Sequence, residues 1–166
     1  MRARRFLAGA VVVAGLAGLG GEAAGSPASS VSGAGMVTLP PEYGDEAGDH
    51  VLFQLRAHAG PAPAGTFNVV HLDDAGGLYA HVVGDITCVS VSDGIAVTTG
   101  VIRRAWFRDF PGALVVDTDV AITVADNGSN DALGFYFEFF DDDVEIPSCA
   151  EVAAVIPVTR GNFKIR

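Results

Sequence analysis

Cysteine, basic charge and helical periodicity are all scarce in this chain, and each shortage closes off a class of protein. Cys88 and Cys149 are its two thiols, too far apart for the close C-x-x-C spacing of zinc ribbons and redox motifs. The apolar run over residues 6–19 falls short of the roughly 20 residues that a membrane-spanning helix needs. No Gly-x-Ser-x-Gly elbow occurs, and no Ser, His and acid group is marked out by local sequence. No apolar stripe of period 3.6 follows the first 25 residues, which excludes a helical bundle.

What is present begins with an export signal. Arg2, Arg4 and Arg5 precede the apolar run, and small residues follow it through Gly25, the three-part layout of a secretory signal peptide. Cleavage is expected after Gly25, with no integral membrane anchor left behind. The cut would take Arg2, Arg4, Arg5 and Glu22 from the 10 basic and 20 acidic side chains, leaving 7 and 19, a formal charge of −12. Such a surface repels nucleic acid and anionic membranes. A secreted or cell-surface location follows, and in that oxidising compartment Cys88 and Cys149 are expected to pair. Closing a loop of that length stabilises a fold by roughly 3 to 4 kcal/mol.

Residues 26–36 are almost wholly Ser, Ala, Gly, Pro and Val and predict a flexible leader ahead of a single β-domain over 37–166. From residue 50 onward the period is two. Val51, Phe53, Leu55 and Ala57 alternate with Leu52, Gln54, Arg56 and His58, as in a strand with one buried face. A second strand over 66–72 stops at Asp73, Asp74, Ala75, Gly76 and Gly77, and a third starts at Leu78. Asp93-Gly94 between two β-rich runs predicts a hairpin turn with positive φ. Val120, Ile122 and Val124 share one face, as do Leu133, Phe135, Phe137 and Phe139, and Phe163 and Ile165 mark a closing strand. The expected fold is all-β: an antiparallel β-sandwich or closed β-barrel of about eight or nine strands.

The segments Gly65-Thr66-Phe67, Gly84-Asp85-Ile86-Thr87-Cys88, Gly94-Ile95-Ala96, Gly100-Val101-Ile102, Asp126-Asn127-Gly128 and Gly161-Asn162-Phe163-Lys164-Ile165 form a pattern. It resembles a group of small secreted bacterial proteins of unknown function, over roughly residues 51–166. The resemblance implies an exported β-domain with an Asp-rich loop and implies no catalytic residues.

Three constellations could carry chemistry. Asp126, Asn127, Asn130 and Asp131 offer the oxygen ligands calcium prefers, although tight turns use the same residue types and the full twelve-residue calcium pattern is missing. Calcium is the one cofactor that the sequence suggests. Asp141, Asp142, Asp143 and Glu145 could form a second acidic shell, or a solvated loop that protects an edge strand. Arg103, Arg104, Trp106, Phe107, Arg108 and Phe110 combine aromatic and guanidinium groups as binding hot spots do, although aromatics there more often pack over the end of a sheet. His58, His71 and His81 lie on successive strands but not on one face, which disfavours a zinc site. The expectation is a noncatalytic exported β-domain that binds an extracellular ligand or protein. The alternatives are a β-barrel enzyme, an isomerase or hydrolase with an interior pocket, and a purely structural surface module.

Overall fold

The computed structural model describes residues 29–140 and 145–166. The export signal expected over 1–25 and the run Asp141, Asp142 and Asp143 lie outside them. Eight antiparallel strands follow one another around a closed barrel: β1 (Ser30–Thr38), β2 (His50–His58), β3 (Ala64–Leu72), β4 (Leu78–Ser92), β5 (Ile95–Phe107), β6 (Asp119–Ala125), β7 (Ala132–Phe137) and β8 (Ile156–Ile165). Each strand pairs with its neighbours in sequence, and β8 returns to pair with β1.

The period-two pattern sets the inside of the barrel. On β2, Val51, Phe53, Leu55 and Ala57 are buried and the residues between them are not. Register carries the alternation to β3, where Val51 faces His71, Phe53 faces Val69 and Leu55 faces Phe67. An eight-stranded barrel has an interior just wide enough for side chains to fill. Here Phe53, Phe67, Phe163, Ile102, Ile122 and Leu133 fill it. Asp93 and Gly94 have φ of 50° and 77° and join β4 to β5 in the expected turn.

The leader expected over 26–36 is corrected from Ser30 onward, because those residues are β1. Val31 and Val37 on it are fully buried. Between them, Gly33 and Gly35 belong to the inward set, and small residues are needed because β8 lies so close. A Cβ on Gly35 would stand 2.5 Å from the Phe163 ring. The same matching of large to small recurs where a Cβ on Gly84 would stand 2.3 Å from the Phe67 ring.

One seam of the barrel is held unusually. β7 and β8 share only two ladder positions, Ala132 with Pro157 and Leu133 with Ile156. The connection between them runs over the outside of the wall as a strap. Cys149 is disulfide-bonded to Cys88 on β4, with Cα atoms 5.4 Å apart. The Cys149 N–H donates to Thr99 Oγ1 at 3.1 Å and the Val152 N–H to Thr123 Oγ1 at 3.0 Å. The strap explains why Ala121 and Thr123, on the outward face of β6, are as buried as the core.

Candidate functional site

The two ends of the barrel differ in chemistry. One end carries the β2–β3, β4–β5 and β6–β7 turns. The other carries the β1–β2, β3–β4, β5–β6 and β7–β8 connections, and there the aromatic contacts gather.

At the first end lies the acidic turn over 126–131. The buried Asp131 accepts the Asn127 N–H on Oδ1 at 3.1 Å and the Phe163 N–H on Oδ2 at 2.7 Å. Asp126 accepts the Gly128 N–H at 3.2 Å and the Ile165 N–H at 3.1 Å. Asn127 and Asn130 are exposed. These carboxylates face N–H donors and bind β8 where the β7 ladder stops. Among the described residues, no group of three or more His, Cys, Asp or Glu is arranged to hold a metal ion.

The arginine and aromatic group divides. Trp106 points outward and is 48% exposed, whereas Phe107 is inward and 9% exposed. Phe110 stacks on Phe107 with ring centroids 4.0 Å apart. Arg103 pairs with Asp85 at 2.9 Å and with Asp117 at 2.8 Å. Arg108 pairs with Asp73 at 2.8 Å, donates to the Leu78 carbonyl and lies over the Tyr79 ring. Arg104 is exposed on β5, opposite Val83. Phe107, Arg108 and Phe110 thus belong to the loop-rich end, and Trp106 belongs to the outer wall.

Aromatic contacts run along that end without a break. Tyr43, carried on the short 3-10 segment Pro41–Glu46, meets Phe135 at 5.9 Å, and Phe135 meets Phe53 at 4.9 Å and Phe137 at 5.9 Å. Phe137 meets Phe139 at 5.4 Å, and Phe139 meets Phe107 at 5.5 Å. Phe135 faces inward, opposite Ile122, yet only partly buried. β7 has no β8 ladder partner from Gly134 to Phe137.

Opposite this arc sits a polar pair that the sequence did not single out. His71 shares the inward face of β3 with Phe67 and Val69, and its Nε2 lies 2.8 Å from Asp49 Oδ2. Both side chains are almost nine-tenths buried. No protein-family model, curated protein or solved structure matches the chain. What the site can do therefore follows from its own geometry.

A carboxylate only accepts hydrogen bonds, so Nε2 carries the proton. Burial pushes the His71 pKa down against the opposing pull of Asp49, which keeps the ring neutral at pH 7. Tyr79 meets the His71 ring edge-on at 4.8 Å. Next along the ladder from His71 comes Ala80 and then Phe107, so one small side chain separates the imidazole from the aromatic arc. Burial, with Asp49 and Asp45 beside it, raises the pKa of Glu46 to about 6. Burial likewise raises Asp119, helped by Glu138 and Glu145. His58 and His81 sit on the exposed outer wall, and His81 bonds Asn68 there. The three histidines therefore do not converge.

Proposed function

We propose that the chain is an exported, noncatalytic barrel that binds a small apolar ligand at its loop-rich end. The observation that carries this reading is the unbroken aromatic arc from Tyr43 to Phe110, with inward-facing Phe135 left partly exposed. Small-molecule sites are concave, mostly apolar and fitted with few polar groups, and the mouths of β-barrels commonly hold them. His71 and Asp49 supply such a polar group here.

The alternative of a barrel enzyme draws on the same His71–Asp49 pair, an oriented imidazole of the kind acid–base catalysis uses. No Ser, Thr or Cys among the described residues is hydrogen-bonded to His71, which leaves nucleophilic hydrolysis without its attacking group.

Titration with N-phenyl-1-naphthylamine, an uncharged apolar dye, tests binding. Saturable fluorescence enhancement is expected, with affinity reduced about tenfold or more by Phe135→Ala and unchanged by Trp106→Ala. Absence of saturable binding, or equal binding by Phe135→Ala, would overturn the reading. Mass spectrometry of the exported protein tests the other half: an N-terminus near Ser26 supports cleavage, and an intact Met1 opposes it.

A further inference from the structure

Acidic and basic side chains are sorted to different parts of the barrel. Among the described acids only Asp85 lies within β1–β5 or β8, and Arg103 holds it at 2.9 Å. The other described acids occupy the connections, the turns and the first position of β6. The basic residues do the reverse. Arg56 is on β2, Arg104 on β5, Arg160 and Lys164 on β8, and Arg166 follows at its end. All five are exposed. Among the described residues no carboxylate is paired with any of them, whereas Arg103 and Arg108 are taken up by Asp85, Asp117 and Asp73.

Register sets these cations on one continuous outer wall. Lys164 lies opposite Ser32, Ser32 opposite Arg56 and Arg56 opposite Thr66. The next row runs from Asn162 through Gln54 and Asn68 to Arg104. Strands stand about 4.8 Å apart, so β2 is about 10 Å from β8 and about 14 Å from β5 along the wall. Hydroxyl and amide side chains fill the spaces between the cations. The chain as a whole is acidic, yet the wall is felt locally. Arg56 stands six residues from the loop-rich end of β2, about 20 Å along the strand and well beyond a Debye length of about 8 Å. On the β8 side Asp126 and Asp131 are engaged by backbone N–H groups.

Shape selects the partner. The wall of a closed barrel is convex, and these cations are spread over an arc of six neighbouring strands, from β8 through β1 to β5. A bilayer or the flat face of a protein meets such an arc along only part of its width, whereas a flexible chain can follow it. Guanidinium groups take carboxylates through paired hydrogen bonds, and the neutral side chains between them suit hydroxyls. We propose that the outer wall from β8 to β5 binds a linear acidic polysaccharide. Its carboxylates lie on Arg56, Arg104, Arg160 and Lys164, and its hydroxyls on the polar side chains between them. This surface is separate from the loop-rich end and does not depend on an apolar ligand there.

Isothermal titration of the exported protein with polygalacturonate oligomers tests the proposal. The fully methyl-esterified oligomers keep the backbone without its charge, and a single-stranded oligothymidylate keeps charge without a row of hydroxyls. Polygalacturonate is expected to bind about tenfold or more tightly than either. Raising sodium chloride from about 0.05 M to about 0.5 M should weaken it about tenfold or more. Arg56→Gln, Arg160→Gln and Lys164→Gln combined should also cost about tenfold or more, with the melting temperature unchanged because all three side chains are exposed and unpaired. Should the triple variant fail to fold, the salt dependence of the wild type decides. Absence of polygalacturonate binding, equal binding of the methyl ester, or an affinity indifferent to salt would overturn the proposal. Equal binding of oligothymidylate would make the wall a general polyanion surface and overturn the assignment to a polysaccharide.

Discussion

Asp131 holds the backbone of Phe163 across the barrel seam, its Oδ2 accepting that N–H at 2.7 Å while Oδ1 accepts the N–H of Asn127. Both bonds are charge-assisted and Asp131 is buried, so losing the carboxylate leaves two donors unsatisfied. Asp131→Ala should lower unfolding stability by about 3 kcal/mol, and Asp126→Ala, which is more exposed, by about 1 kcal/mol. Urea midpoints measure both. Equal small losses would mean that the β7–β8 ladder alone closes the seam.

Those bonds also frame the calcium question. An ion seated on Asp126 and Asp131 would compete with four backbone donors for the same oxygens. The melting temperature is therefore expected to be the same in excess calcium and in chelator. Specific binding at a hundred times the dissociation constant would add about 2.7 kcal/mol. A rise of that size, abolished by Asp126→Ala, would make the turn a metal site.

The Cys88–Cys149 bond anchors the strap, and its loss should cost roughly 3 to 4 kcal/mol. Thiol labelling without reductant should leave both cysteines unmodified. After reduction, the amides of Cys149 and Val152 should exchange faster with solvent than those of β2 and β3, because only threonine hydroxyls would still hold them. Uniform exchange throughout would mean that the whole barrel opens with the strap.

Glu46 and His71 make stability depend on pH in opposite senses. Glu46 titrates at about 6 in the folded protein against a reference of 4.5, so the folded state holds the proton more tightly. Its contribution is present below pH 4.5 and is lost as pH rises through 6. Allowing for solvent screening of this partly exposed group, the loss is about 1 kcal/mol. Glu46→Gln should equal the wild type near pH 4 and exceed it by that amount near pH 8. His71 has a lowered pKa, so its contribution is present above its unfolded pKa of 6.5 and is lost as pH falls through the folded value. Urea midpoints across pH 4 to 8 separate the two, and a Glu46→Gln curve parallel to the wild type would refute the Glu46 assignment.

Gly35 and Phe163 offer a test of packing. Gly35→Ala places a methyl group against the Phe163 ring and should cost about 2 kcal/mol. In a Phe163→Leu background that cost should shrink by about 1 kcal/mol or more. Additive losses would mean that the strain falls elsewhere.

The strands from Val51 onward were legible because each buries one face, so period two survives in the sequence at Val51, Phe53, Leu55 and Ala57. Asp93-Gly94 was legible because its turn imposes a local φ requirement that few residues meet. β1 was not, because Gly33 and Gly35 are small to suit Phe163, a partner far along the chain, and alone they read as linker. Closure was hidden for the same reason: it depends on β8 meeting β1. The His71–Asp49 pair joins strand β3 to the end of an irregular connection, and the only trace of it was a histidine on an apolar face. The acidic turn showed its composition but not that its carboxylates aim at β8.

A barrel zipped shut by its first and last strands has consequences for how it forms. β1 and β8 meet in antiparallel register from Val31 with Ile165 to Val37 with Val158, contacts that close nearly the whole described chain into one loop. Such distant contacts are late and slow, since chain entropy must be spent before they return any burial. Hairpins from β2 to β7 can assemble locally while Gly33 and Gly35 still lack their cover. Until β8 arrives, the Phe53 side of the interior faces water, and that open sheet is the form most exposed to aggregation.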